Sequence, residues 1–441
     1  MSITILAPAY LHEFKCLGGD CEDTCCQNWD IRLDEKHYNL LATAFSDDAS
    51  HKITFKNHVK TFDKQEASER NFAYIKVNES GFCPFLNQHG LCHIHAEYGV
   101  EPLSDVCTFF PRVFSLSNNT AEMTGALSCP EMVRRCLFSS AQDYELTAML
   151  KSTLPRNDYP VSHRLDLTNN FYHEKFPAVN EQLISLINDE QYAFETRMYF
   201  LANFTYRLAP HYHQSCEEKQ KLIDEEILRI RNVDIKKQLD DYFYQFNTTE
   251  PVAIIIVQSI LQLRIQYEGG DKLSKFAGQI FDNYKADLEK SEDFDVFGEN
   301  VPPDILWKKF QGHWERLNSS YGAQLEVYFT RYVTNCLQRE WFIGMPDPFV
   351  YIHMLSIRVA ILRFLLTSHP NMISLVNPES MESDKQSPDE IQQAFDAIVV
   401  EVVYLFARSI DHNHNFLQVV FHAMLEQQMM SFDYSLPLIK F

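Results

Sequence analysis

Glycine is scarce in this chain, 13 of 441 residues. No G-x-G-x-x-G and no P-loop occurs, and Gly18-Gly19 and Gly269-Gly270 lack the strand and helix that flank a phosphate-cradling turn. The common dinucleotide-type fold is therefore excluded as a way of holding a nucleoside cofactor. A secretory start is not expected either, since Met1 to Pro8 has neither a basic opening nor a long apolar run. No membrane span is expected. The apolar run from Pro251 to Leu263 is too short, and Val350–Leu366 carries Arg358 and Arg363. Positive charge is in deficit, with 39 Lys and Arg against 60 Asp and Glu, a formal charge of −21. Such a field repels nucleic acid and anionic membrane and attracts cationic partners. The expected setting is a reducing cytoplasm, which argues against a disulfide framework. There is no internal repeat and no low-complexity tract.

Aromatic residues are plentiful, with 33 Phe and 21 Tyr, and hydrophobic residues make up 45%. With so little glycine, that balance suits packed helices, so the expected fold class is mainly α. A boundary is expected at Leu154-Pro-Arg-Asn-Asp-Tyr-Pro160, two prolines in a polar turn. It separates a cysteine-rich domain over about 1–150 from a helical domain over about 151–441. Helical spacing predicts helices over Glu181–Leu208 and Lys219–Phe246, and another from about Pro251 to Tyr267, ended by Gly269-Gly270. Ser387-Pro388-Asp389-Glu390 is an N-cap, a first-turn proline and a capping box in succession. Behind it, Ile391, Ala394, Phe395, Ile398, Val399, Val402, Leu405 and Phe406 share one apolar face, expected to be core. The acidic stretches Ser291–Pro303 and Asn377–Pro388 read as solvated connections or a substrate-guiding rim.

Nine of the eleven cysteines lie between residues 16 and 136. Cys136, Cys216 and Cys336 read as ordinary buried thiols. The other eight, Cys16, Cys21, Cys25, Cys26, Cys83, Cys92, Cys107 and Cys129, are candidate metal ligands. Several stand beside Pro or Gly, where a turning backbone can aim amide N–H groups at anionic sulfur. Cys21 and Cys25 would share a face on a helix. Cys25 and Cys26 are adjacent, so their side chains are expected to diverge and not to serve one compact site. Thiolates select zinc or an iron–sulfur cluster. Zinc sites favour repeated close pairs, cluster ligation tolerates scatter, and spacing alone leaves both open. His89, His93 and His95 flank Cys92, so a mixed site stands beside the ordinary reading of hydrogen-bonding histidines. The radical-type adenosylmethionine pattern C-x3-C-x2-C is begun by Cys21-x3-Cys25, but Asn28 holds the third position.

The run Tyr10-Leu-x-x-Phe14-x-Cys16…Cys21-Glu-Asp-Thr-Cys25-Cys26-x-x-Trp29, with Cys83-Pro-Phe-Leu…Gly-Leu-Cys92…Cys107-x-x-Phe-Pro-Arg112, resembles the start of flagellin lysine-N-methylases. It is also similar to a broader family of small zinc- or iron-chelating bacterial proteins. The likeness covers roughly residues 10–135. The resemblance implies methyl transfer from S-adenosylmethionine to lysine side chains of flagellin, and a 4Fe–4S cluster held by N-terminal cysteines.

Methyl transfer to nitrogen needs a neutral amine, whereas lysine, with an ordinary pKa near 10.4, is protonated at pH 7. The site must therefore desolvate the lysine or offer a proton acceptor, and aromatic rings suit the sulfonium. No catalytic base is selected by the sequence. Arg112, directly after the cysteine motif, is the candidate ligand for the cofactor carboxylate, against a structural role paired with an acidic side chain. The rival functions are a non-enzymatic redox sensor or metal-binding protein and a helical adaptor.

Overall fold

Short strands and long helices segregate along the chain. In the computed structural model, residues 4–63, 66–117, 119–138, 145–165, 171–211, 217–246, 251–268, 270–289, 301–377 and 387–441 are described. Cys216, Gly269 and most of the two acidic connections lie outside them. The chain divides into two units, one of Met1–Arg135 with Ser139–Leu165, the other of Cys136–Phe138 with Asp166–Phe441.

The chain is mainly helical, as expected, and all its described strands lie in the first unit, between short helices. Its strands are β1 (Thr4–Ala7), β2 (Ile31–Leu33), β3 (Val59–Thr61), β4 (Ala73–Ile75), β5 (Arg112–Ser117), β6 (Thr120–Gly125), β7 (Thr147–Met149) and β8 (His163–Leu165). A five-stranded sheet runs β7-β1-β6-β5-β8, and a three-stranded sheet runs β2-β4-β3. β5 and β6 form the antiparallel centre of the large sheet, with Phe114 opposite Met123. Phe114, Leu116, Ala121 and Met123 are buried. β8 explains why this unit runs past residue 150: it adds one edge to the large sheet, as β7 adds the other. Strands of three to six residues place too few side chains on a face for alternation to register in sequence.

The second unit is helical in all its regular described residues apart from short turns. At its centre lies Pro348–Thr367, long and apolar enough to cross a membrane by length and composition, and 94% buried. It packs against Phe194–Leu208, Val252–Glu268, Pro303–Glu340, Pro388–Phe406 and Phe432–Lys440. The two arginines in this helix have acidic partners. Arg358 holds Glu340 in a two-pronged pair at 2.7 and 2.8 Å, and Arg363 meets Glu195 at 2.6 Å.

The capping box forms as read, Ser387 N–H donating to Glu390 at 2.7 Å and Glu390 N–H to Ser387 Oγ at 3.3 Å. Of the expected apolar face, Phe395, Ile398, Val399, Val402, Leu405 and Phe406 are buried, while Ile391 and Ala394 are half-buried. Two expected helices break. The first stops at Ile187 and resumes at Phe194. The second breaks at Asn232, whose side chain accepts from the amides of Asp234 and Ile235 and starts a new helix.

Candidate functional site

The three cysteine-bearing stretches meet inside the first unit. Cys83 N–H donates to Cys26 O at 2.8 Å, and Cys92 forms an isolated β-bridge with Leu86. Cys26, Cys83, Cys92 and Cys107 all lie in or against one core with Ile31, Leu33, Phe45, Phe85 and Ile94. All ten described cysteines are free thiols.

The electrostatic neighbours divide the eight candidates into two groups. Cys26, Cys83, Cys92 and Cys107 form one: Cys26 feels Cys83 and Cys107, and Cys107 feels Cys83 and Cys92. Cys16, Cys21 and Cys129 form the other, Cys21 facing Cys16 and Cys129 facing Cys21. Cys25 is exposed and within reach of both groups. Burial and mutual repulsion raise the thiols: Cys83 is pushed up to about 11 and Cys129 up to about 12, and Cys21, Cys92 and Cys107 rise as well. Cys26 is raised first by the hydrogen bond it shares with the Cys25 side chain, then by burial. That contact corrects the expectation that the adjacent pair diverges, which holds on a helix or strand. Here both sit in an irregular loop, Cys21 and Cys25 included, so the helical face expected for those two does not form. Asn28 closes the loop with φ of 62° and N–H donating to Gly81 O at 2.7 Å. Asn28 therefore has a backbone role where the radical pattern would carry cysteine.

Backbone amides oppose the rise. Cys83 accepts from Phe85, Cys92 from His95 and Ile94, and Cys129 from Met132 and Glu131. Cys92 is the residue that starts the helix His93–Tyr98, and Cys129 precedes Pro130–Phe138, so both sulfurs face first-turn N–H groups. Ser104 likewise favours the Cys107 thiolate. This donor set, soft sulfur with amide N–H groups around it, fits a thiolate-ligated metal centre. Among the described residues, the trios of ligand atoms all within 4.8 Å of one another are Asp48, His51, His93 and Asp34, His37, Asp105, with no cysteine trio.

Arg112 opens β5, with its guanidinium 4.9 Å from the Phe14 ring. Burial lowers its pKa, and Cys16 and Cys129 pull it back up. Its neighbours are thus sulfur and an aromatic ring. Of the three flanking histidines, His93 is drawn inward, stacked on His51 at 3.6 Å. His89 stays with Gln88 on the exposed loop. The sequence reading missed Asp34, His37, Asp48 and His51. A signal existed in the repeated spacing D-x-x-H. Each Asp caps a helix by accepting from the His N–H, at 2.9 Å for His37 and 3.0 Å for His51, while its second oxygen meets the same imidazole. Helix capping accounts for both Asp–His pairs, while His37 Nε2 stays buried without a hydrogen-bond partner.

In the second unit a buried charge network closes the helix Pro303–Glu340. Glu340 lies between Arg358 and Arg339, and Asp411 accepts from Tyr332 at 2.8 and 3.0 Å. Burial alone would raise Glu340, but the two arginines hold it down at about 2. Asp411 stands at the end of a π-helical turn, Ala407–Asp411, a rare geometry that recurs at functional positions.

The family model for the FliB lysine N-methylase C-terminal domain matches residues 180–438, well over half of the chain. The Lysine-N-methylases of Salmonella typhimurium and Salmonella choleraesuis are each 27% identical over 207 residues, 46% of this chain and 47% of theirs. The Flagellar biosynthetic protein FliU of Salmonella muenchen is 30% identical over 136 residues, 31% of this chain and 78% of its own. The chain thus spans about half the length of the first two relatives. No solved structure matches.

Proposed function

This chain belongs to the FliB lysine N-methylase family, and on that ground we propose that it methylates lysine side chains of flagellin with S-adenosylmethionine as donor. The match over residues 180–438 carries the reading, because it covers nearly all of the helical unit. The flagellar name of the FliU relative favours a flagellar substrate. The −21 charge suits a cationic lysine-bearing partner met in the cytoplasm before filament assembly.

In the transfer, lysine first gives up its proton to solvent water. Its lone pair then attacks the methyl carbon in line with sulfur. The C–N bond forms as the C–S bond breaks, the electron pair stays on sulfur, and the positive charge moves from sulfonium to the methylated amine. The products are methyl-lysine and S-adenosylhomocysteine. This needs no redox partner. A 4Fe–4S cluster would be held by Cys26, Cys83, Cys92 and Cys107, which share one core, with Cys16, Cys21, Cys25 and Cys129 as the flanking thiols. When bound, the cluster supplies binding free energy that ties residues 26 to 107 together, a structural role. Arg112, beside Cys16 and Cys129, serves these flanking thiols as a counter-cation.

The test is incubation of purified protein with flagellin and methyl-labelled S-adenosylmethionine. Label on flagellin lysines is the expected result. Label-free flagellin with a correctly folded, iron-replete enzyme would end the reading.

A further inference from the structure

The helical unit contains a cavity of about 620 Å³, within the range of small-molecule sites. Phe194, Phe243, Trp314 and Phe329 form its aromatic walls, and Glu195, Glu326, Arg363 and Lys440 are its charged lining. Arg363 is 3% exposed, with its guanidinium 4.7 Å from Trp314 and 5.4 Å from Phe329. One of its amines donates to Glu195 at 2.6 Å, while Nε is buried without a hydrogen-bond partner. Lys440 Nζ stands 4.7 Å from the Phe243 ring. Arg197, buried behind the wall, meets Glu326 at 2.6 Å.

Three features converge on one ligand chemistry. Arg197, Arg363 and Lys440 outnumber Glu195 and Glu326, a local positive excess in a chain of charge −21. The helix Phe194–Leu208 begins in this cavity at Ala193, which offers no side-chain cap. Its first amides therefore point outward without intrahelical acceptors, at the positive end of the helix dipole. The opposite walls are aromatic faces for a flat ring or an onium group. A ligand with a carboxylate at one end and a heteroaromatic base at the other satisfies all three.

Resting on the methyl-transfer reading, we infer that this cavity is the S-adenosylmethionine site. The amino-acid carboxylate lies at the start of Phe194–Leu208 between Arg363 and Lys440. The ammonium meets the second oxygens of Glu195 and Glu326. The adenine stacks on the wall that includes Trp314.

Calorimetry with S-adenosylmethionine and S-adenosylhomocysteine on the full-length, cluster-loaded protein tests the assignment. Lys440→Ala and Trp314→Ala should each weaken both ligands by roughly ten-fold or more, the loss expected from one charge-assisted or stacking contact. Trp314→Phe should restore most of the affinity. Thermal melts by circular dichroism verify the fold of each variant. In a second measurement, ultraviolet irradiation of the wild-type protein with labelled S-adenosylmethionine should mark the peptides bearing Trp314 or Lys440. Wild-type binding that persists in Lys440→Ala and Trp314→Ala, with label elsewhere, overturns the cavity assignment and leaves the methyl-transfer reading standing. No binding of either ligand to the wild-type protein overturns both.

Discussion

His353 gives the helical unit a pH limit that can be worked from its surroundings. It lies in the central helix Pro348–Thr367, fully buried, with Nδ1 2.7 Å from Ser435 Oγ. Nε2 is buried without a hydrogen-bond partner. Burial depresses its pKa from 6.5 to about 4. A depressed folded value means that the native state keeps the imidazole neutral while the unfolded chain takes up a proton. The contribution is fully present above pH 6.5 and is lost as pH falls through 4. Each pKa unit is worth about 1.36 kcal/mol, so the whole window holds about 3 kcal/mol. Urea unfolding of the wild-type protein and of His353→Gln, at intervals from pH 7 to 4, isolates this group because other titrations cancel in the difference. The wild type should lose stability relative to His353→Gln by about 1.4 kcal/mol per pH unit across most of that window. Parallel curves for the two proteins would refute the buried neutral imidazole.

Cys83→Ser and Cys107→Ser should each deplete the centre, measured as iron per chain and absorbance near 400 nm, while Cys16→Ser keeps about four irons per chain; full iron in the first two would remove them from the ligand set. Glu340→Gln leaves Arg358 and Arg339 without their shared carboxylate, and urea midpoints should report a loss of about 3–5 kcal/mol. Ser387→Ala removes one side of an exposed capping box and should cost only about 1 kcal/mol, seen as faster amide exchange in the first turn after residue 387. Raising salt from about 50 to 200 mM should raise KM for flagellin with little change in kcat, as screening of a −21 field requires.

The signals that survived from sequence to structure are those whose physics is local. A capping box is complete within four residues, so Ser387–Glu390 could be read directly. Asn232 was equally local, but its helical neighbours on both sides kept the periodicity running through it. The crowding of cysteines named the candidate ligands. The partition into two groups was invisible, because it depends on which loop pairs with which, as when Cys83 bonds back to Cys26 across 57 residues. Arg112 shows the same limit. Its adjacency to the motif was plain in sequence, but that its neighbours would be Cys16 and Cys129 needed β5 in place. The cavity of the helical unit draws on residues from 193 to 440, and no motif links them.

A lysine methylase faces two opposed electrostatic demands, and the charge distribution of this chain can meet both. An acidic protein draws in a protonated lysine, but the same negative field stabilises the ammonium and holds back the neutral amine that must attack. Deprotonation is easier where the local potential is positive and water is reduced. Most buried arginines of the helical unit are matched to carboxylates, as in Arg264 with Asp271 and Arg358 with Glu340, and cancel locally. Around the aromatic cavity the count tips the other way, with Arg197, Arg363 and Lys440 facing Glu195 and Glu326. Lys440 registers the reduced hydration alone: burial there lowers its pKa, while Glu195 pulls it up. A substrate lysine brought to the same wall, with a sulfonium adding another positive charge, would be pushed in the same direction. Long-range attraction and local deprotonation can then coexist, because the first depends on the total charge and the second on five side chains.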